Sequence, residues 1–118
     1  MNKCSNRNCI EYVDNKELFN ANNIFATNIT SSKGAFYVVY SYGFHFPMYA
    51  FNFKSRTWFV NKDKYSVTTS KHQNQAKPSD VLALESAKGG QFAHDKKVYA
   101  YNVETTSEMN NLIGNRGY

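Results

Sequence analysis

The clearest hydrophobic pattern in the chain is AFYVVYSYG, residues 35–43. Phe36, Val38, Tyr40 and Tyr42 fall on one side of the alternation, and Tyr37, Val39 and Ser41 on the other. That is the period of a β-strand. Both faces are largely apolar, so the strand is expected at the centre of a sheet, covered on both sides. Gly43 and Pro47 break the pattern on either side of Phe44-His45-Phe46. Tyr49, Phe51 and Phe53 then alternate against Met48, Ala50 and Asn52, Lys54-Ser55-Arg56 turns, and TWFVN returns. This predicts an antiparallel hairpin, roughly 47–53 with 57–61, carrying Lys54 and Arg56 at its tip. Upstream the signals are mixed: a helical turn at 17–19, a short strand at 24–29, and a polar, loose terminus over residues 1–9.

After Tyr65 the period changes. Ser66, Thr68, Thr69 and Ser70 are all N-cap residue types, and TSKHQNQAK suits a short polar helix that must end near Pro78. Ser79 or Asp80 can cap a second helix, DVLALESAK, with Val81 and Leu84 inward and Gly89-Gly90 as its stop. KVYAYNV reads as a further strand. Thr105-x-x-Glu108 is a capping box before Met109, Leu112 and Ile113, with Gly114 ending that helix. Strands followed by helices predict an α+β domain: an antiparallel sheet with a central aromatic hairpin (about 35–61) and short helices after it.

Composition adds two points. The 118 residues suffice for one domain, 1–118. Nine Tyr, nine Phe and Trp58 reinforce the β-reading, because aromatic rings fit half-buried pleated surfaces. No 18-residue apolar run or apolar leader is present, so a cytoplasmic protein with reduced thiols and no membrane partner is expected. Cys4 and Cys9 have zinc-compatible spacing, but further ligands are missing nearby and His94 would have to fold back. No metal and no cofactor is assigned. No Walker loop, serine nucleophile elbow or paired-carboxylate pattern is legible.

Charge changes the picture more. Of the net +5, residues 1–53 hold +1, residues 54–77 hold +5 and residues 78–118 hold −1. Such concentration is the footprint of a polyanion binder, or of lysines that keep a sheet edge soluble.

Tyr42-Gly43-x-His45-Phe46-Pro47, then Trp58, then Asn61-x-Asp63-x-Tyr65-Ser66-x-Thr68-Thr69-Ser70-x-His72 resembles small uncharacterised proteins of bacteriophages and other mobile elements. The likeness spans roughly residues 37–78. It implies a phage-type origin, hence a host-cell cytoplasmic location, and implies no reaction and no catalytic residue.

The candidate binding residues follow from charge and capping. Lys54, Arg56, Lys62, Lys64, Lys71 and Lys77 supply the positive field. Thr69 and Ser70, with His72 close behind, would sit at a helix start where backbone N–H groups attract an anion. Ordinary helix capping explains the same hydroxyls. Trp58 and Tyr65 are candidate stacking or anchor rings beside the cations. His45 and His72 could together do acid–base work on a phosphodiester if the fold brought them into one pocket. The expectation is a small phage-type accessory protein, not an enzyme, that binds nucleic acid through residues 54–77. The alternatives are a phage-encoded inhibitor of a host nucleic-acid-binding protein, of anti-defence or anti-CRISPR type, and a phosphodiester-acting enzyme. Homodimerisation through the Tyr-rich strands stays open.

Overall fold

Seven strands form one sheet whose spatial order follows the chain in the computed structural model, which describes residues 2–63, 67–86 and 98–114. They are β1 (Asn2–Lys3), β2 (Phe19–Asn20), β3 (Ile24–Ser31), β4 (Gly34–Ser41), β5 (Pro47–Asn52), β6 (Thr57–Asn61) and β7 (Tyr99–Val103). The helices are α1 (Ile10–Asp14), α2 (Val67–Gln75), α3 (Ser79–Ser86) and α4 (Thr106–Ile113), with a 3-10 turn at Asn6–Asn8. The chain is thus an α+β protein.

The sheet is mixed, where an antiparallel one is expected from the sequence. β2 through β6 pair antiparallel, but β1 pairs β2 parallel and β6 pairs β7 parallel. The physical reason lies in the connections. Neighbouring strands joined by a short turn must run antiparallel, whereas α2 and α3 lie between β6 and β7 and return the chain to its starting end. Residues 2–9 are tied to the body. Asn2 pairs Phe19, Cys4 N donates to Asn20 O at 3.3 Å, and Cys9 is fully buried. Residues 17–20 are not helical: Phe19 and Asn20 form β2, and helix α1 precedes them.

β4 sits fourth of seven, and its alternation feeds two separate cores. Tyr37 and Val39 join Cys9, Val13, Phe51, Trp58, Val60, Ala76 and Val81, so α1, α2 and α3 cover that face. Phe36, Val38 and Tyr40 join Ala50, Val103, Met109 and Ile113, so α4 covers the other. Each face buries large rings, and a buried aromatic or aliphatic side chain contributes about 1.5–3 kcal/mol.

The β5 alternation is broken once. Val39 pairs Tyr49 but Tyr40 pairs Pro47, which leaves Met48 as an extra residue. A bulge of this kind turns two consecutive side chains to one side, and Met48 and Tyr49 both enter the first core. Tyr42, expected to continue the β4 stripe, instead leaves the strand at φ 68° with 55% of its surface exposed.

Candidate nucleic-acid interface

The basic segment does not form one surface. Lys54 and Arg56 lie in the β5–β6 turn, and Lys62 follows the far end of β6. The five residues of β6 separate Arg56 from Lys62, six steps of extended chain or about 20 Å. Lys71 is exposed on α2, and Lys77, partly buried, follows it; α2 docks at the Ser41 and Asn61 end of the sheet. Contiguity in sequence therefore divides the cations between opposite ends of the sheet. Lys64 and Tyr65 lie outside the described residues, as does the side chain of Thr69.

Three candidates are corrected by burial and helix register. Trp58 is 1% exposed, stacked edge-on against Tyr37 and tilted on Phe51, so it is a core ring and no platform for a base. Its indole N–H finds no hydrogen-bond partner among the described residues. His72 is 3% exposed, and its Nδ1 shares a 2.7 Å hydrogen bond with the buried Ser41 hydroxyl. Burial, and then the neighbouring Lys71 charge, hold its pKa below the ordinary histidine value. A neutral, enclosed imidazole does not face an anion. Thr68, Thr69 and Ser70 lie within α2 (Val67–Gln75), so none of them holds the cap position before the helix.

Much of the Asn61-to-Gln73 string instead makes a buried polar clasp. Asn61 Nδ2 donates to Pro47 O at 2.9 Å and to Thr106 Oγ1 at 3.2 Å, while its Oδ1 accepts from Asp63 N at 2.9 Å. Asp63 Oδ2 accepts from Thr106 N and Thr106 Oγ1, at 3.0 and 2.9 Å, and so satisfies an orphan donor at the start of α4. Gln73 Nε2 donates to Asn61 O and Asp63 O, and Gln73 O accepts from Tyr49 Oη at 2.6 Å. These bonds tie α2 on one face to α4 on the other. His45 is exposed in the loop after β4, and His72 is enclosed beside Ser41.

At the other end of the sheet the fold assembles cations that sequence distance kept apart. The β3–β4 turn carries Lys33 and lies beside the β5–β6 turn, because Phe36 pairs Asn52 and Phe53 N donates to Ala35 O at 3.2 Å. Lys33, Lys54 and Arg56 are all exposed there. The tip is rigidly built: Asn52 Oδ1 accepts from both Lys54 N and Ser55 N at 2.9 Å, and Arg56 N donates to Asn52 O at 2.8 Å. Arg56 holds φ 56°, a left-handed conformation that costs a non-glycine residue about 1–2 kcal/mol. Parallel β7 begins at this same end, with Tyr99 N donating to Arg56 O at 2.9 Å.

Two exposed rings flank these cations, one on each face of the sheet: Phe53 on the Phe51 face and Tyr99 on the Phe59 and Tyr101 face. Phe53, on the Tyr49 and Phe51 side of the alternation, is 44% exposed and stands edge-on to Phe51 at 5.6 Å; Tyr99 is 41% exposed. On the Phe53 face, Lys16 Nζ sits 4.5 Å from the Phe51 ring centroid and 5.6 Å from that of Trp58, adding a cation over the aromatic layer. Sequence inspection passed over Lys33 and Tyr99 because they lie outside 54–77. The signal that could have found them is topological: a β-meander brings alternate turns to one end.

Beside the tip, a groove of about 320 Å³ is lined by Lys33, Tyr101, Glu108, Asn111 and Leu112. It is formed where α4 runs obliquely from Asp63 to Ser31, whose hydroxyl donates to Ile113 O at 2.9 Å, leaving part of β6 and β7 uncovered. Phe59 and Tyr101 meet edge-on at 6.0 Å beneath it.

Among the described residues no three His, Cys, Asp or Glu side chains are grouped to hold an ion, and His94 lies outside them. Burial, then the neighbouring Cys4, pushes the Cys9 thiol up to about 12. Among the described residues no helix is long and apolar enough to cross a membrane. No family model matches the chain, and no curated protein and no solved structure shows significant similarity to it.

Proposed function

We propose that this chain is a small phage-type accessory protein that binds single-stranded nucleic acid at the hairpin end of its sheet. The carrying observation is that Lys33, Lys54 and Arg56 gather at one end of the sheet with an exposed ring on each face there, Phe53 on one and Tyr99 on the other. Cations track the phosphates, and exposed rings stack unpaired bases, the combination used by proteins that hold single strands. Duplex DNA hides its base faces, so the rings favour an unpaired strand. Fluorescence anisotropy with labelled single- and double-stranded DNA and RNA at low salt tests this. Binding to single strands that is lost in the Lys54→Ala/Arg56→Ala double variant supports the reading, and undetectable binding to every nucleic acid sinks it.

A second reading draws on the opposite end of the sheet. Tyr42 and Phe44 are 55% and 48% exposed in the loop after β4, and Phe44 rests edge-on against Phe25 and Tyr40. Exposed aromatic anchors on a fixed support suit a protein partner, as an inhibitor of a host nucleic-acid-binding protein requires. Capture of a discrete host protein that persists after nuclease treatment, and is lost with Tyr42→Ala/Phe44→Ala, supports it. Capture abolished by nuclease counts against it.

A further inference from the structure

We infer that the groove between α4 and β7 is a subsite for one unpaired guanine, a proposal that rests on the single-strand reading above. Its volume of about 320 Å³ is at the small end for ligand sites, about 300–1,000 Å³, and fits one base rather than a longer segment. Its walls divide by chemistry. Tyr101 is 57% exposed and Leu112 37% exposed, so an aromatic and an aliphatic surface are open to a planar ring. Tyr101 is steadied from behind by Phe59, which in turn lies 6.4 Å from Phe36 in the core.

The polar groups choose the base. Glu108, Asn111 and Leu112 are spaced three and four residues apart, so they share one face of α4. A carboxylate only accepts hydrogen bonds. Guanine presents two adjacent donors, N1–H and N2–H, to a carboxylate fork, with O6 beside them to accept from the Asn111 amide. Uracil and thymine place a carbonyl on each side of their single N–H, which repels a carboxylate. Glu108 is already oriented: its N–H donates to Thr105 Oγ1 at 3.1 Å, and Thr105 Oγ1 donates to Glu108 Oε1 at 3.3 Å. Lys33 belongs both to the groove and to the basic edge, so a strand held by Lys54 and Arg56 can turn one base inward while Lys33 meets its phosphate.

The test compares an oligo-dT with the same strand carrying one central guanine. A good bidentate contact discriminates bases by about tenfold or more, so the guanine strand should bind about ten times tighter. Glu108→Gln keeps the capping box, because Gln serves at that position, and should erase the preference without weakening the binding of oligo-dT. Tyr101→Ala should weaken the guanine strand more than oligo-dT. Equal affinity of the native protein for the two strands overturns the subsite but leaves the single-strand reading intact. So does a preference that survives Glu108→Gln. Failure of both strands to bind at low salt overturns both proposals, and thermal melting of each variant shows whether it is folded.

Discussion

Neutralising the hairpin tip should change the salt dependence of binding, and the size of the change follows from the fold. Each phosphate neutralised on a single strand contributes about −0.7 to the slope of log K against log salt. The basic edge presents Lys33, Lys54 and Arg56, three side chains that a bound backbone can reach together. The native slope should therefore be about −2, which is close to a 20-fold loss of affinity between 50 and 200 mM salt. With Lys54→Ala/Arg56→Ala one contact remains, the slope falls to about −0.7, and the same salt step costs about threefold. Lys62→Ala/Lys71→Ala removes the same formal charge from the same sequence segment, but those residues lie away from the tip. Its slope should stay near −2, with only a small drop in affinity from the long-range field, which is screened beyond about 10 Å. Anisotropy titrations with a labelled oligo-dT at four salt concentrations measure all three slopes. If Lys62→Ala/Lys71→Ala flattens the slope as much as the tip variant does, charge acts as a diffuse segment and the placement of the interface is wrong.

Three further outcomes concern the scaffold. Gly114 ends α4 at φ 70°, and a Cβ there would lie 2.5 Å from Ser31 Oγ. Gly114→Ala should cost about 1–2 kcal/mol for the left-handed backbone, and about 1 kcal/mol more if the Ser31–Ile113 bond is lost; an unchanged urea midpoint would refute this. Trp58→Ala should destabilise by about 3–5 kcal/mol, whereas Trp58→Phe should cost far less, because the indole N–H has no partner among the described residues to lose; equal losses in chemical denaturation would contradict that account. His72 has a folded pKa below the unfolded value of about 6.5. The unfolded chain therefore takes up a proton that the folded one resists, and stability should fall as pH drops below about 6.5. His72→Gln should flatten that part of the stability–pH curve; an identical acid limb in the variant would exclude His72 as its source.

How much of this was legible beforehand depended on the range of the interaction. The apolar alternation at 35–41 placed β4 at the centre of the sheet, since only a strand covered on both sides can carry rings on both faces. The capping box at Thr105 and Glu108 and the stop at Gly114 were equally local, because their hydrogen bonds close within four residues. The bulge that turns Met48 inward was not, since it exists only in the register between two strands. The parallel return of β7 was implied by the helices before it, yet the propensities of its own five residues say nothing about direction.

The candidate site shows the same division. Composition by itself determined that the chain is basic, aromatic-rich and β-forming, and local order located Lys54 and Arg56 at a turn. Only the tertiary structure decided which charges act together. Residues 54–77 are contiguous in the chain, but β6 runs through them and carries Arg56 and Lys62 about 20 Å apart. Lys33 and Tyr99, distant in sequence, come beside Arg56 because hairpin turns and the start of a parallel strand gather at one end of a sheet. Trp58 and His72 are enclosed by side chains from other elements, which their own sequence neighbours do not show. Charge adds along a sequence, but an electrostatic field adds in space, and the sheet sets the distances.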